Sequence, residues 1–144
     1  MHQNPDDAGI RQILTSVKTI AVVGASDKTN RPVHGVMRFL QSKGFRTLPV
    51  NPRLAGQQLL GETVCATLTD IAERIDMVDI FMNAARVEPI VEQALDTDAG
   101  VIWMQLGVVN QAAAQRAEDA GLTVVMDRCP AIEWRRLGLE DGEP

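Results

Sequence analysis

The hydrophobic pattern of this chain switches between two periods. Ile10, Ile13, Leu14 and Val17 recur at helical spacing, which predicts an amphipathic helix over 6–17. The run from Thr19 to Val23 is apolar almost throughout and reads as a buried strand. Val33, Val36, Met37 and Leu40 return to the helical period and predict a helix from Pro32 to about Ser42. Pro32 suits its first position, where an N–H would have no intrahelical partner. The pattern then predicts a strand over 46–50, an irregular stretch over 51–67 and a short helix over 68–74. A strand over 77–82, a helix over 87–95, a strand over 101–106, a helix over 111–120 and a strand over 122–126 complete it. Pro49 lies near the end of its strand, where a missing ladder donor matters least.

Strands that alternate with helices imply parallel pairing with helices on both faces. The expected fold is therefore α/β and Rossmann-like, doubly wound around a five-stranded, mainly parallel sheet. The 144 residues are expected to form one domain with a core of about 10–138 and an acidic, frayed tail at 140–144. Ligands of such sheets lie beyond the carboxyl ends of the strands, where the strand order reverses. That rule selects five segments: 24–32, 50–54, 82–86, 105–110 and 127–131.

The first segment reads Gly-Ala-Ser-Asp-Lys-Thr-Asn-Arg-Pro from Gly24 to Pro32. It predicts a βα turn that holds an anion, most simply a phosphate. Backbone N–H groups around Gly24, Ala25 and Ser26, the Ser26 hydroxyl and the helix N-terminus would face it, with Lys28 and Arg31 adding charge. Arginine suits phosphate because its planar fork donates two parallel bonds. Only Gly24 of a Gly-x-Gly-x-x-Gly fingerprint is present. The second segment carries Asn51, Pro52 and Arg53 where a dinucleotide site usually has a carboxylate. Asn51 suits either a ribose or base contact or a capped turn, and Arg53 suits a phosphate on that ribose.

In the third segment Phe81 and Met82 could wall an adenine while Asn83 caps the next helix. In the fourth, Gln105 is a polar group at the end of an apolar strand, and Gly107 suggests close backbone approach. The fifth, Asp127-Arg128-Cys129-Pro130, places a thiol on the ligand side of the sheet beside a cation. Cys129 reads first as an inert buried thiol. His34 is expected to be solvated, and His2 to lie in a mobile N-terminus.

Composition narrows the partners. A net charge of −5, three Phe, two Trp and no Tyr argue against nucleic acid, which needs a basic face or stacking platforms. Cys65 and Cys129 make no disulfide framework, and no signal peptide is visible. No apolar run approaches the roughly 18 residues of a membrane span. The expectation is a cytoplasmic protein with a small anionic ligand, no membrane or nucleic-acid partner, and a protein partner left open. Walker A, His-Glu-x-x-His and Gly-x-Ser-x-Gly motifs are absent from the sequence.

Five motifs stand in order: Val-Gly-Ala-Ser-x-x-x-x-Arg-Pro at 23–32, Pro-Val-Asn-Pro at 49–52, Asp-Met-Val-Asp-Ile-Phe at 76–81, Trp-Met-Gln-Leu-Gly at 103–107 and Val-Met-Asp-Arg-Cys-Pro at 125–130. Together they resemble the small bacterial single-domain CoA-binding proteins, which are similar to the CoA-binding domain of the succinyl-CoA synthetase α subunit. The resemblance spans about residues 10–138. It implies that Gly24, Ala25, Ser26, Thr29 and Arg31 cradle the phosphates of coenzyme A or an acyl-CoA, and that Asn51, Pro52 and Arg53 border the adenosine. Met104, Gln105 and Leu106 would wall the site, and Asp127, Arg128, Cys129 and Pro130 match the segment toward the thiol end. From their positions at the strand ends, Lys28, Met82, Asn83 and Gly107 are expected to contact the same ligand. The synthetase's phosphohistidine domain and ATP-binding partner domain have no counterpart in these 144 residues, so a binding module is expected rather than a ligase. Two alternatives stay open: an NAD(P)(H)-binding sensor or enzyme, and a redox protein in which Cys129 meets the CoA thiol.

Overall fold

A computed structural model describes residues 1–139. The main sheet has five strands: β1 (Thr19–Val23), β2 (Arg46–Val50), β5 (Met77–Ile80), β6 (Val101–Met104) and β7 (Thr123–Met126). They run parallel in the order β2-β1-β5-β6-β7. The chain therefore starts in the sheet, steps to one side, then crosses back, and the order reverses between β1 and β5. The expected acidic tail at 140–144 lies outside the described residues.

Alternation within the strands builds two cores. Ile20, Val22, Met77, Trp103 and Val125 face α1 (Asp7–Ser16), α2 (Pro32–Ser42) and α5 (Pro130–Arg136). Ala21, Val23, Val78, Ile80, Ile102 and Val124 face α3 (Val87–Leu95) and α4 (Gln111–Asp119). A strand buried on both faces must be apolar at nearly every position, which explains the continuous runs in the sequence. No described helix is long and apolar enough to cross a membrane.

Four local expectations need correction. The irregular stretch contains a small hairpin of β3 (Gln58–Leu59) and β4 (Glu62–Thr63). Its two turn residues, Leu60 and Gly61, both have positive φ, the twist that suits a two-residue connection. The helix expected over 68–74 is only a 3-10 turn, Leu68–Asp70. Thr67 and Asp70 cap each other across it, and Ile71 is already extended. Strands β5 and β6 stop at Ile80 and Met104, so Phe81-Met82 and Gln105-Leu106 leave the sheet. Helix α5, which the periodicity did not predict, begins with Pro130 and is tied to α1 by Arg136, 2.8 Å from Asp7 and 2.7 Å from Glu133.

The N-terminus is also not loose. Asn4 donates to the Met126 carbonyl at 2.9 Å and accepts from the Met126 amide at 2.7 Å, so its side chain imitates a neighbouring strand along the free edge of β7. The His2 ring lies between Glu118 and Asn4, at 2.7 and 2.8 Å, with its side chain 3% exposed. His34 is likewise buried, on α2, and not solvated.

Candidate functional site

Two cavities open at the carboxyl ends of the strands. The smaller, about 490 Å³, is lined by Gly24, Ser26, Arg31, Pro32, Val33, Val36, Phe81, Met82, Gln105, Leu106, Val108, Cys129 and Ile132. The larger, about 740 Å³, is bordered by Asn51, Pro52, Arg53, Thr67, Asn83, Arg86 and Gln93 among others. Gly24, Phe81 and Met82 line both. These three belong to the ends of β1 and β5, the two strands between which the order reverses. Connections leaving a sheet in opposite directions must open a crevice there.

Gly24 is held by geometry before any ligand is considered. Its φ is +85°, and a Cβ would lie 1.9 Å from the Phe81 carbonyl oxygen. The Phe81 amide donates to the Val23 carbonyl at 2.8 Å, which brings the two chains this close. The amides of Gly24 and Ala25 both point at the Val50 carbonyl, at 3.0 and 3.3 Å. They are therefore committed to the sheet and are not the anion donors the motif suggested. Ala25 is fully buried beneath the loop.

The amides of Ser26 and Val33 have no partner among the described residues. Val33 is in the first turn of α2, where Pro32 and an uncapped start leave the helix N-terminus open. Arg31 lines the smaller cavity, exposed and in no ion pair among the described residues. Lys28 and Thr29 are exposed and line neither cavity. The Lys28 amide donates to the Ser26 hydroxyl at 3.1 Å and shapes the loop.

Asn51 spends both ends of its amide on the scaffold. It donates to the Ala25 carbonyl at 2.7 Å and accepts from the Arg53 amide at 2.8 Å. It fastens the loop after β1 to the turn after β2. Arg53 and Arg86 border the larger cavity from two separate segments, with no ion pair among the described residues. Asn83 caps the 3-10 turn Ala84–Arg86 that leads into α3, not α3 itself. Arg86 and Gln93 were not singled out from the sequence; the charge of Arg86 within the 82–86 segment was the available signal.

On the β6 side, Met104 does not line either cavity: it is fully buried against α3 and α4. Its neighbour Gln105 points the other way into the smaller cavity. Gln105 is 7% exposed, and its Oε1 is buried with no hydrogen-bond partner among the described residues. A buried acceptor left unpaired costs free energy, so a ligand donor is the natural complement. Gly107 has a positive φ of 81°, and no protein atom lies within 4 Å of where a Cβ would stand. Its amide donates to Asp127 at 2.8 Å, joining the loops after β6 and β7. Arg128 turns back to the Asp127 carbonyl and lines neither cavity. Cys129 is buried, precedes α5, and does line the smaller one. Pro32, Val36, Val108 and Ile132 complete the apolar wall and were not assigned to a site from the sequence.

Asp79 lies beneath the crevice on β5, paired with Val22 and Trp103 on its neighbours. It is fully buried, and neither carboxylate oxygen has a hydrogen-bond partner among the described residues. Burial alone pushes its pKa well above the usual carboxylate range. No described group of His, Cys, Asp and Glu is arranged to hold a metal ion.

A family model described as a CoA binding domain matches residues 18–135. Uncharacterized protein YneT of Bacillus subtilis (strain 168) is 40% identical over 127 residues, 88% of this chain and 93% of that protein. Among solved structures, Prb, a PH1109 protein redesigned for binding, is 36% identical with a TM-score of 0.92, covering 100% of both chains. Cell-free ID.343 from Thermus thermophilus is 38% identical with a TM-score of 0.89, covering 92% of this chain and 99% of that one.

Proposed function

This chain belongs to the CoA binding domain family, and we propose that it holds coenzyme A or an acyl-CoA across the crevice, as a binding module. The observation that carries this reading is the pair of cavities joined at Gly24, Phe81 and Met82. Coenzyme A has the same bipartite character: a phosphorylated adenosine at one end, a neutral pantetheine arm at the other, and a diphosphate between them.

The larger, more polar cavity takes the adenosine, with Arg53 and Arg86 toward its phosphate and Asn51 and Pro52 as a rigid border. The diphosphate sits at the junction, where the free amides of Ser26 and Val33 and the Arg31 guanidinium meet it. The arm runs through the apolar cleft toward Gln105 and Cys129. Its amide N–H groups match the unpaired Oε1 of Gln105. Because the protein is acidic overall, at −5, the affinity rests on this local cationic cluster and weakens with salt.

Calorimetric titration with CoA and with NADH tests the reading. CoA is expected to bind far more tightly, and Arg31→Ala is expected to weaken CoA about tenfold or more and to flatten the salt dependence. Tight NADH with weak CoA would replace this reading by a dinucleotide site. Unchanged affinity in Arg31→Ala would remove the phosphate role.

A second reading rests on Cys129 standing in the cleft wall. Its thiolate would attack one sulfur of CoA disulfide, releasing one CoA thiol and leaving a Cys129–CoA mixed disulfide. A CoA mass adduct on the wild type and none on Cys129→Ser is the expected mark; equal adducts on both would end it.

A further inference from the structure

The solvent-facing apolar side chains of this protein are concentrated beside the cleft. Among the described residues, the large hydrophobic side chains in solvent are Met1, Leu106, Val109 and Ile132. Leu106 and Ile132, 53% and 49% exposed, both line the smaller cavity. Val109 follows Val108, which lines it too. Leu106 lies just past β6 and Ile132 in the first turn of α5, so two separate elements each expose an apolar side chain at one opening. A lone exposed leucine is ordinary, but a convergent pair at a cavity mouth is a binding feature. Among the described residues, Arg31 is the only charged side chain lining that cavity.

Resting on the placement of the pantetheine arm above, we infer that Leu106 and Ile132 form a shelf for the acyl chain of an acyl-CoA. The ligand class is then a thioester of a straight-chain fatty acid. The reach is right. From the end of β1 to the end of β7 is three strand spacings, about 14 Å. The arm is about four residue-lengths of chain, again about 14 Å when extended. Its sulfur therefore arrives where the loops after β6 and β7 meet. The cleft of about 490 Å³ has room for the arm. A group carried on the sulfur then meets the apolar side chains at its mouth, Leu106 and Ile132.

Full burial of a methylene strengthens binding about fourfold; a chain lying on an open shelf buries about half as much, giving about twofold per methylene. The test is titration of free CoA, acetyl-CoA, butanoyl-CoA and hexanoyl-CoA on the wild type and on the double variant Leu106→Ser/Ile132→Ser, with light scattering to read the oligomeric state. The wild type is expected to bind hexanoyl-CoA about 16-fold more tightly than acetyl-CoA, and the variant less than about fourfold. The ratio is internally normalised, so any general weakening of the variant cancels. Free CoA binding with no dependence on chain length would overturn the shelf while leaving the CoA reading intact. An unchanged ratio in the variant would overturn it as well. A wild-type dimer that the variant splits, with a ratio near one, would assign the patch to a second copy instead. If no member of the series bound, free CoA included, the underlying placement would fail and the shelf with it.

Discussion

Asp79→Asn isolates the most unusual electrostatic feature of the molecule. Both oxygens of Asp79 are buried without a partner among the described residues, in the middle strand of the sheet. An ionised carboxylate in that setting lacks every compensation that buried charges need, so the folded protein retains the proton to a pH where the unfolded chain has lost it. The folded pKa is raised, so the stability this proton contributes is fully present below the unfolded value of about 3.9 and is lost as pH rises toward the folded value. Within that window each pH unit costs the wild type about 1.4 kcal/mol. Asparagine has nearly the same shape, adds one more unpaired N–H donor than the protonated carboxyl, and has no proton to lose. The two proteins should therefore differ by a constant offset near pH 4, and relative to that offset the variant should gain about 1.4 kcal/mol per pH unit above it, levelling off at the folded pKa. Urea denaturation at constant ionic strength from pH 4 to 8 reads this directly. Because other titrating groups are common to both proteins, they cancel in the difference. A difference that stays flat across the range would refute the reasoning and show that Asp79 is ionised in the folded state.

Three further outcomes are expected. Gly24→Ala should lower stability by more than about 2–3 kcal/mol, since its Cβ meets the Phe81 carbonyl at 1.9 Å; a wild-type melting temperature would contradict that contact. Asn51→Ala should cost about 1–2 kcal/mol in chemical denaturation, because it removes the bonds to Ala25 and Arg53, and should weaken CoA by loosening the loop; unchanged values of both would make Asn51 incidental. For Asp76, burial works against the carboxylate, but the Lys18 and Thr19 amides and Arg74 outweigh it and hold the pKa below the usual range. Stability from that lowered pKa is present above the unfolded value and is lost as pH falls through the folded one, so Asp76→Asn should flatten the acid limb below about pH 4; an identical acid limb would count against it.

Much of the fold was legible because burial imposes a period. Residues 20–23 and 101–104 are apolar on both faces since helices cover both, and the stripes on α1 and α2 mark their buried sides. The segments past the strand ends were legible for the same topological reason, and Ser26, Arg31, Arg53, Gln105, Leu106 and Cys129 do line the crevice. What those residues do there was decided by contacts across long sequence separations. The Val50 carbonyl takes the Gly24 and Ala25 amides, and Asn51 reaches back to Ala25. Met104 and Gln105 are neighbours in sequence, yet one faces the core and the other the cleft, because successive side chains at a strand end point to opposite sides. His2 is held by Glu118, 116 positions away, beside an Asn4 that pairs with Met126, 122 positions away. Local chemistry determined that this chain folds as alternating helices and strands with its candidate site beyond the carboxyl ends of the strands. Only the tertiary structure decided which donors stay free, because a hydrogen-bonding group is available to a ligand only when no distant part of the chain has already claimed it.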